Sequence, residues 1–159
     1  MKFLKQHLLV IIMVFIFSSS VEAQINHLQI KKVDSNMVSK AKPILILMST
    51  DWCQYCKIQK KQIRKNVAFK NKIDSFYYVE FDAESQDSIV FNGFKYKSNT
   101  KRNRKSTHQL ALNLSNSDKV IFPAWVLLDS TYKVVFRYNS LLYPEQLTKV
   151  LTAIEQLNK

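Results

Sequence analysis

A single glycine, Gly93, serves a chain of 159 residues, and that scarcity removes whole classes of function. Phosphate-cradling loops and dinucleotide fingerprints need several glycines at set spacing so that backbone can approach the ligand; one glycine cannot write either. Histidine is nearly as sparse, at positions 7, 27 and 108. Structural zinc takes four ligands, and two cysteines with the scattered His27 and His108 do not assemble them, so no metal site is implied. The cysteines number two, Cys53 and Cys56, too few for a disulfide framework. Lys57, not histidine, follows the second of them, which excludes c-type haem attachment. Acids are outnumbered by bases, 12 against 24, for a formal net charge of +12. Long apolar runs are missing too: Leu8–Phe17 is uninterrupted, but ten residues are about half of what spans a bilayer.

That run does have a reading. Lys2 and Lys5 precede it, Ser18-Ser19-Ser20 and Val21-Glu22-Ala23 follow it, and a basic start, a short apolar stretch and a small-residue site compose a secretory signal peptide. Residues 1–23 are therefore expected to be a cleaved signal and 24–159 one domain. An uncleaved anchor is the rival, disfavoured by the run's shortness. No cysteine follows the cleavage point, which argues against lipid anchoring. The expected location is exported, with the bacterial periplasm ahead of full secretion. The chain stays strongly basic without Lys2, Lys5 and Glu22. Outside the cytoplasm that charge does not point to nucleic acid; a solvated surface explains it first, and an anionic membrane or an acidic partner second.

Both cysteines fall in Ser49-Thr50-Asp51-Trp52-Cys53-Gln54-Tyr55-Cys56-Lys57. Pro43 to Met48 before it is apolar on both faces, as a central strand covered by helices is. The lysine-rich segment after it, free of Gly and Pro, predicts a helix over 53–65, with Ile58 and Ile63 turned inward and Lys57, Lys60, Lys61, Arg64 and Lys65 solvated. Cysteines three apart on a helix face the same way, within adjustment of bonding range. The first would sit at the helix N-terminus, where unpaired N–H groups and the helix dipole favour an anion and so supply thiolate. A bridge closing so short a loop constrains the unfolded chain little, so redox chemistry explains the spacing better than structural stapling.

The remaining elements follow from local pattern. Residues 24–33 alternate enough for a short edge strand, and Asp34-Ser35 can cap a brief helix through Lys40. Val67–Ile73 reads as a short second helix or an extension of the preceding one, and Phe76–Phe81, aromatic and β-branched, as a strand. Ser85–Phe91 stays open between helix and strand, and Asn92-Gly93 is a turn. Lys95, Lys97, Lys101, Arg102, Arg104 and Lys105 lie among Ser, Asn and Thr with no apolar period, which reads as a solvated loop and secondarily as a weak contact for an acidic partner or lipid head groups. A helix resumes at His108–Leu114, where His108 is read as a helix-start residue rather than a base. Trp125–Leu128 and Lys133–Tyr138 are strands joined by a turn at Ser130-Thr131. Tyr143-Pro144-Glu145 opens a last helix whose Leu147, Val150, Leu151, Ile154 and Leu157 form a core stripe.

Trp52-Cys53-x-x-Cys56-Lys57 after an apolar strand, with Pro123 before a second one, resembles the thioredoxin superfamily; Asp51-Trp52-Cys53 is similar to exported members, including the soluble reductase domain of periplasmic thiol:disulfide interchange proteins. The resemblance covers most of Lys40–Leu157. It implies an α/β fold, a thioredoxin-like three-layer α/β/α sandwich with a central mixed sheet, and an exported protein-disulfide oxidoreductase without cofactor. Under it Cys53 is an exposed nucleophile and Cys56 the buried resolving thiol. Trp52, Phe122 and a cis Pro123 contact the substrate. Its partners are protein thiols and disulfides and an upstream electron donor such as a membrane thiol reductase. One departure stands out. The buried Asp that thioredoxins carry six residues before the nucleophile is Leu47 here, so proton transfer at the second cysteine must use water, Glu80 or Asp82. Two other functions remain open: a maturation factor with one dedicated client, as in cytochrome c assembly, and a non-enzymatic adaptor working through the Lys95–Lys105 stretch.

Overall fold

The computed structural model describes residues 25–99 and 106–158; the signal segment and the cluster Lys101–Lys105 lie outside the described residues. Strand β1 (Ile44–Ser49) is buried at all six positions because it is an inner strand of the sheet and both its faces are covered. It pairs in parallel with β2 (Tyr77–Asp82) and antiparallel with β5 (Ala124–Leu128). β5 in turn pairs antiparallel with β6 (Val134–Tyr138), giving the order β2-β1-β5-β6.

The two-residue period of a strand divides β1 between two cores. Ile44, Ile46 and Met48 pack with Val79, Phe81, Val126 and Leu128 on one side. Leu45 and Leu47 pack with Phe76, Tyr78, Trp125 and Leu127 on the other. The first side is roofed by α1 (Val33–Ser39), by the hairpin of β3 (Ile89–Phe91) and β4 (Phe94–Tyr96), and by α4 (Gln109–Ser115). The second is roofed by α2 (Gln54–Lys65), α3 (Val67–Lys72) and α5 (Pro144–Leu157). Helix layer, mixed sheet, helix layer: this is a thioredoxin-like α/β sandwich. The stripe Leu147, Val150, Leu151 and Ile154 of α5 is buried as its spacing requires.

Three expectations need correction. Residues 25–29 form no strand and Ile30–Lys32 is a 3₁₀ turn; the segment gives β2 one backbone bond, Leu28 N–H to the Tyr78 carbonyl at 2.7 Å, and then turns directly into α1. Ile58 does not face the core. It is 46% exposed, whereas the neighbouring Gln59 is wholly buried, because α2 is rotated to bring that amide against the backbone of Leu142. The open segment Ser85–Phe91 supplies β3, whose hairpin turns through Asn92 and Gly93, both at positive φ (52° and 74°). That is the pair of conformations a two-residue type I′ turn requires.

The hairpin is tied down by one carboxylate. Asp34, in the first turn of α1, accepts the N–H groups of Asn92 (2.8 Å) and Gly93 (3.0 Å) and the hydroxyl of Tyr132 (2.8 Å). Burial, and then the Asp34 bond and charge, hold the Tyr132 hydroxyl protonated well above its ordinary range. Asp34→Ala is expected to cost about 2 kcal/mol, since hydrogen bonds to a charged group are worth about 1.5–3 kcal/mol each and the turn amides can regain water. Denaturant unfolding measures that loss, and hydrogen exchange should speed up first at Asn92 and Gly93.

Candidate active site

β1 ends at Ser49, and the chain then makes a tight turn in which the Cys53 N–H donates to the Thr50 carbonyl at 3.2 Å. Cys53 is the N-cap of α2, extended at φ −75° and ψ 104°. A cap side chain accepts from the helix's first free amides, and here the acceptor is sulfur: the Cys56 N–H reaches Cys53 Sγ at 3.1 Å. Cys53 and Cys56 are joined as a disulfide, with Cα atoms 5.3 Å apart. The N-terminal end of a twelve-residue helix thus points its free N–H groups and dipole at Cys53, which stabilises an anion there.

Cys53 is not exposed as expected. It retains 5% of its accessible surface, against 1% for Cys56, because its sulfur is turned back onto the first turn of α2 and bonded there.

Large exposed apolar groups flank the cysteines in sequence and precede Pro123. Trp52 is 64% and Tyr55 63% exposed, and Ile121 is 60% exposed. Trp52 meets Phe122 edge to face at 6.2 Å, which brings the loop before β5 against the cysteine turn from 70 residues away in sequence (position 52 to position 122). The Phe122–Pro123 peptide is cis. The other edge of the Trp52 indole is held by a residue that sequence reading missed: Glu84, whose two carboxylate oxygens each lie 3.2 Å from Trp52 Nε1. No local pattern marks Glu84; only the parallel pairing of β1 with β2 carries the chain end beyond Asp82 to this spot.

Below the turn, Leu47 of β1 is in register with Glu80 of β2. Glu80 faces α2: its carboxylate takes the Lys60 ammonium at 3.1 Å and the Tyr78 hydroxyl at 3.0 Å. Burial and the Glu80 charge push the Tyr78 hydroxyl well above its ordinary range. Asp82 ends β2 in solvent, accepting the Glu84 N–H. Of the two acids, Glu80 is the one on the side of α2. His108 is apart from the dithiol. Fully buried, it caps α4 by accepting the Leu110 N–H at Nδ1 (3.0 Å), while Nε2 meets the Asp87 carbonyl at 2.9 Å. With Nδ1 an acceptor, Nε2 carries the proton, and both ring nitrogens are spent on structure. The basic stretch is anchored at its described ends, where Lys97 N–H donates to the Gln109 side chain and Asn99 Nδ2 donates to the Thr107 carbonyl.

Residues 30–155 match the family model of the thioredoxin-like domain. The chain belongs to the thioredoxin-like family. Among solved structures it is similar to the DsbH oxidoreductase (20% identity, TM-score 0.56, covering 84% of this chain and 86% of that one). It is also similar to thioredoxin f of spinach chloroplast (18%, 0.51, 89% and 95%) and to Fasciola hepatica thioredoxin (12%, 0.52, 79% and 97%). No curated protein is significantly similar to it in sequence. At these identities the structural likeness speaks for the fold, and the cysteine pair speaks for the chemistry: a thioredoxin-like fold bearing a Cys53–Cys56 pair where the family's chemistry sits.

Proposed function

We propose that this protein is an exported thiol–disulfide oxidoreductase that reduces disulfides of bacterial envelope proteins. The observation that carries the reading is the Cys53–Cys56 disulfide at the N-terminus of α2, with Cys53 Sγ accepting the Cys56 N–H. In the reduced protein Cys53 is the thiolate. It attacks one sulfur of a substrate disulfide, breaks that bond and forms a mixed disulfide, releasing the first substrate thiolate, which takes a proton from solvent. Cys56 then loses its proton and attacks Cys53 Sγ, closing the intramolecular bond and releasing the second substrate thiol. The substrate has gained two electrons and two protons; an upstream dithiol donor, such as a membrane thiol reductase, restores the protein. Trp52, Phe122 and Pro123 are the surface against which the substrate chain lies, and the exposed Tyr55 and Ile121 extend it. The signal-like residues 1–23 support the export part of the proposal, and the basic Lys95–Lys105 stretch supports a weak contact with an acidic partner or anionic membrane.

Equilibration with glutathione or dithiothreitol tests the reading. The expected outcome is a reduction potential near about −270 mV, that of a general reductant. A value near about −120 mV marks an oxidant and reverses the proposed direction. A pair that never exchanges overturns the activity.

A further inference from the structure

Thr50 opens the turn that leads into the dithiol, and its hydroxyl is idle in the disulfide form. Only 5% of the residue is exposed, and its Oγ1 is buried with no hydrogen-bond partner among the described residues. Buried polar groups in native proteins are paired as a rule, and an orphan calls for a cause, a redox role among them. Its place narrows the cause. The Thr50 carbonyl accepts the Cys53 N–H, so Thr50 and Cys53 are the first and fourth residues of a turn, with Cα atoms within about 7 Å. The hydroxyl hydrogen rotates to suit whatever acceptor comes within reach.

The disulfide offers little: its Cys53 sulfur is neutral and already takes the Cys56 N–H. Reduction changes the acceptor. When dithiothreitol reduces the pair, the Cys53–Cys56 bond breaks and two electrons come from the reagent, which closes to its own disulfide. Of its two protons one passes to Cys56 and the other to solvent, leaving Cys53 as a thiolate. A thiolate accepts several hydrogen bonds, and charge-assisted ones are roughly twice as strong as neutral ones.

We propose that Thr50 is a redox-dependent hydrogen-bond donor, unpaired in the disulfide state and donating Oγ1–H to the Cys53 thiolate in the reduced state. The orphan in the oxidised form and the bond in the reduced form act in one direction, both favouring reduction. Thr50 therefore sets the pair to a less reducing potential than the helix N-terminus alone would give, and holds more of Cys53 as thiolate near neutral pH. The inference rests on the reading of Cys53 as the reactive thiol.

Thr50→Val keeps the branched shape and removes the hydroxyl; Thr50→Ser keeps the hydroxyl and removes the methyl. Equilibrated with dithiothreitol, Thr50→Val is expected to favour the disulfide about tenfold more than the parent, equivalent to about 30 mV. The pH profile of Cys53 alkylation should move up by about one unit, the same factor. Thr50→Ser should match the parent in both, and the oxidised Thr50→Val protein should unfold at no lower denaturant concentration. If Thr50→Val matches the parent in ratio and profile, or if Thr50→Ser shifts as Thr50→Val does, the hydroxyl is not the donor and the inference falls while the dithiol reading stands. If none of the three proteins exchanges with dithiothreitol, the dithiol reading falls and takes this one with it.

Discussion

Cys53→Ser is expected to abolish disulfide reduction, and Cys56→Ser to stop it one step later with the substrate attached. The two losses differ because the two sulfurs occupy different places. Cys53 caps α2, and its sulfur receives the Cys56 N–H at the helix N-terminus, so it is the sulfur whose anion the fold stabilises. A serine hydroxyl there is not ionised near neutral pH and forms no disulfide, and turnover should fall by on the order of 10³-fold or more, the scale of losing a covalent nucleophile. Cys56 is the deeper of the pair, 1% exposed. Without it, the attack by Cys53 still occurs but nothing resolves the product, so one equivalent of mixed disulfide accumulates per protein and is released by added dithiol. Non-reducing electrophoresis with a disulfide-bonded protein substrate, followed by mass spectrometry of the trapped adduct, reads both outcomes. An adaptor that merely keeps its cysteines oxidised predicts a different pair of results: tolerance of Cys53→Ser, and sensitivity to charge reversal across Lys95–Lys105.

What could be read from the chain without its fold was what rests on local pattern. β1 is visible as an apolar run because every one of its side chains is buried, and α5 because its buried residues recur at helical spacing. The cysteine turn is visible because its residues are contiguous. Reading failed where a long-range partner decides. Residues 25–29 alternate like a strand, yet they yield a single bond to β2 and then lead into α1, since nothing in a short alternating run says whether a ladder partner is available. Glu84 acquires its meaning only when β2 runs parallel to β1 and brings Ala83 N–H onto the Ser49 carbonyl at 2.8 Å. His108 was legible as a helix start, because a residue preceding an apolar helical stretch is commonly its cap. That its ring is completely consumed by Leu110 and Asp87 was not.

Helix α2 gives the sharpest contrast between pattern and fold, and a stability experiment decides it. By hydrophobicity Ile58 belongs inside and Gln59 outside, so Ile58→Lys should be harmful and Gln59→Leu harmless or better. The structure reverses both. Ile58 is 46% exposed, and surface changes away from special features fall within about 0.5 kcal/mol. Gln59 is fully buried, and its side chain pairs with a backbone as a neighbouring strand would. Its Oε1 accepts the Leu142 N–H at 2.6 Å and its Nε2 donates to the Leu142 carbonyl at 3.2 Å. Leu142 lies between β6 and α5, outside any strand or helix, so it has no ladder to supply those partners, and its side chain is itself core, 2% exposed. Leucine at position 59 fills similar space but strands a buried N–H and a buried carbonyl, each costing about 1–3 kcal/mol. The expected loss is about 3 kcal/mol, a fall in melting temperature of roughly 10 °C for a domain of this size, whereas Ile58→Lys should shift it by no more than about 2 °C. Thermal and urea unfolding of the oxidised proteins measure both. A Gln59→Leu protein as stable as the parent would mean that the Leu142 backbone finds water instead, and that the amide is not what holds the helix carrying the dithiol against the start of α5.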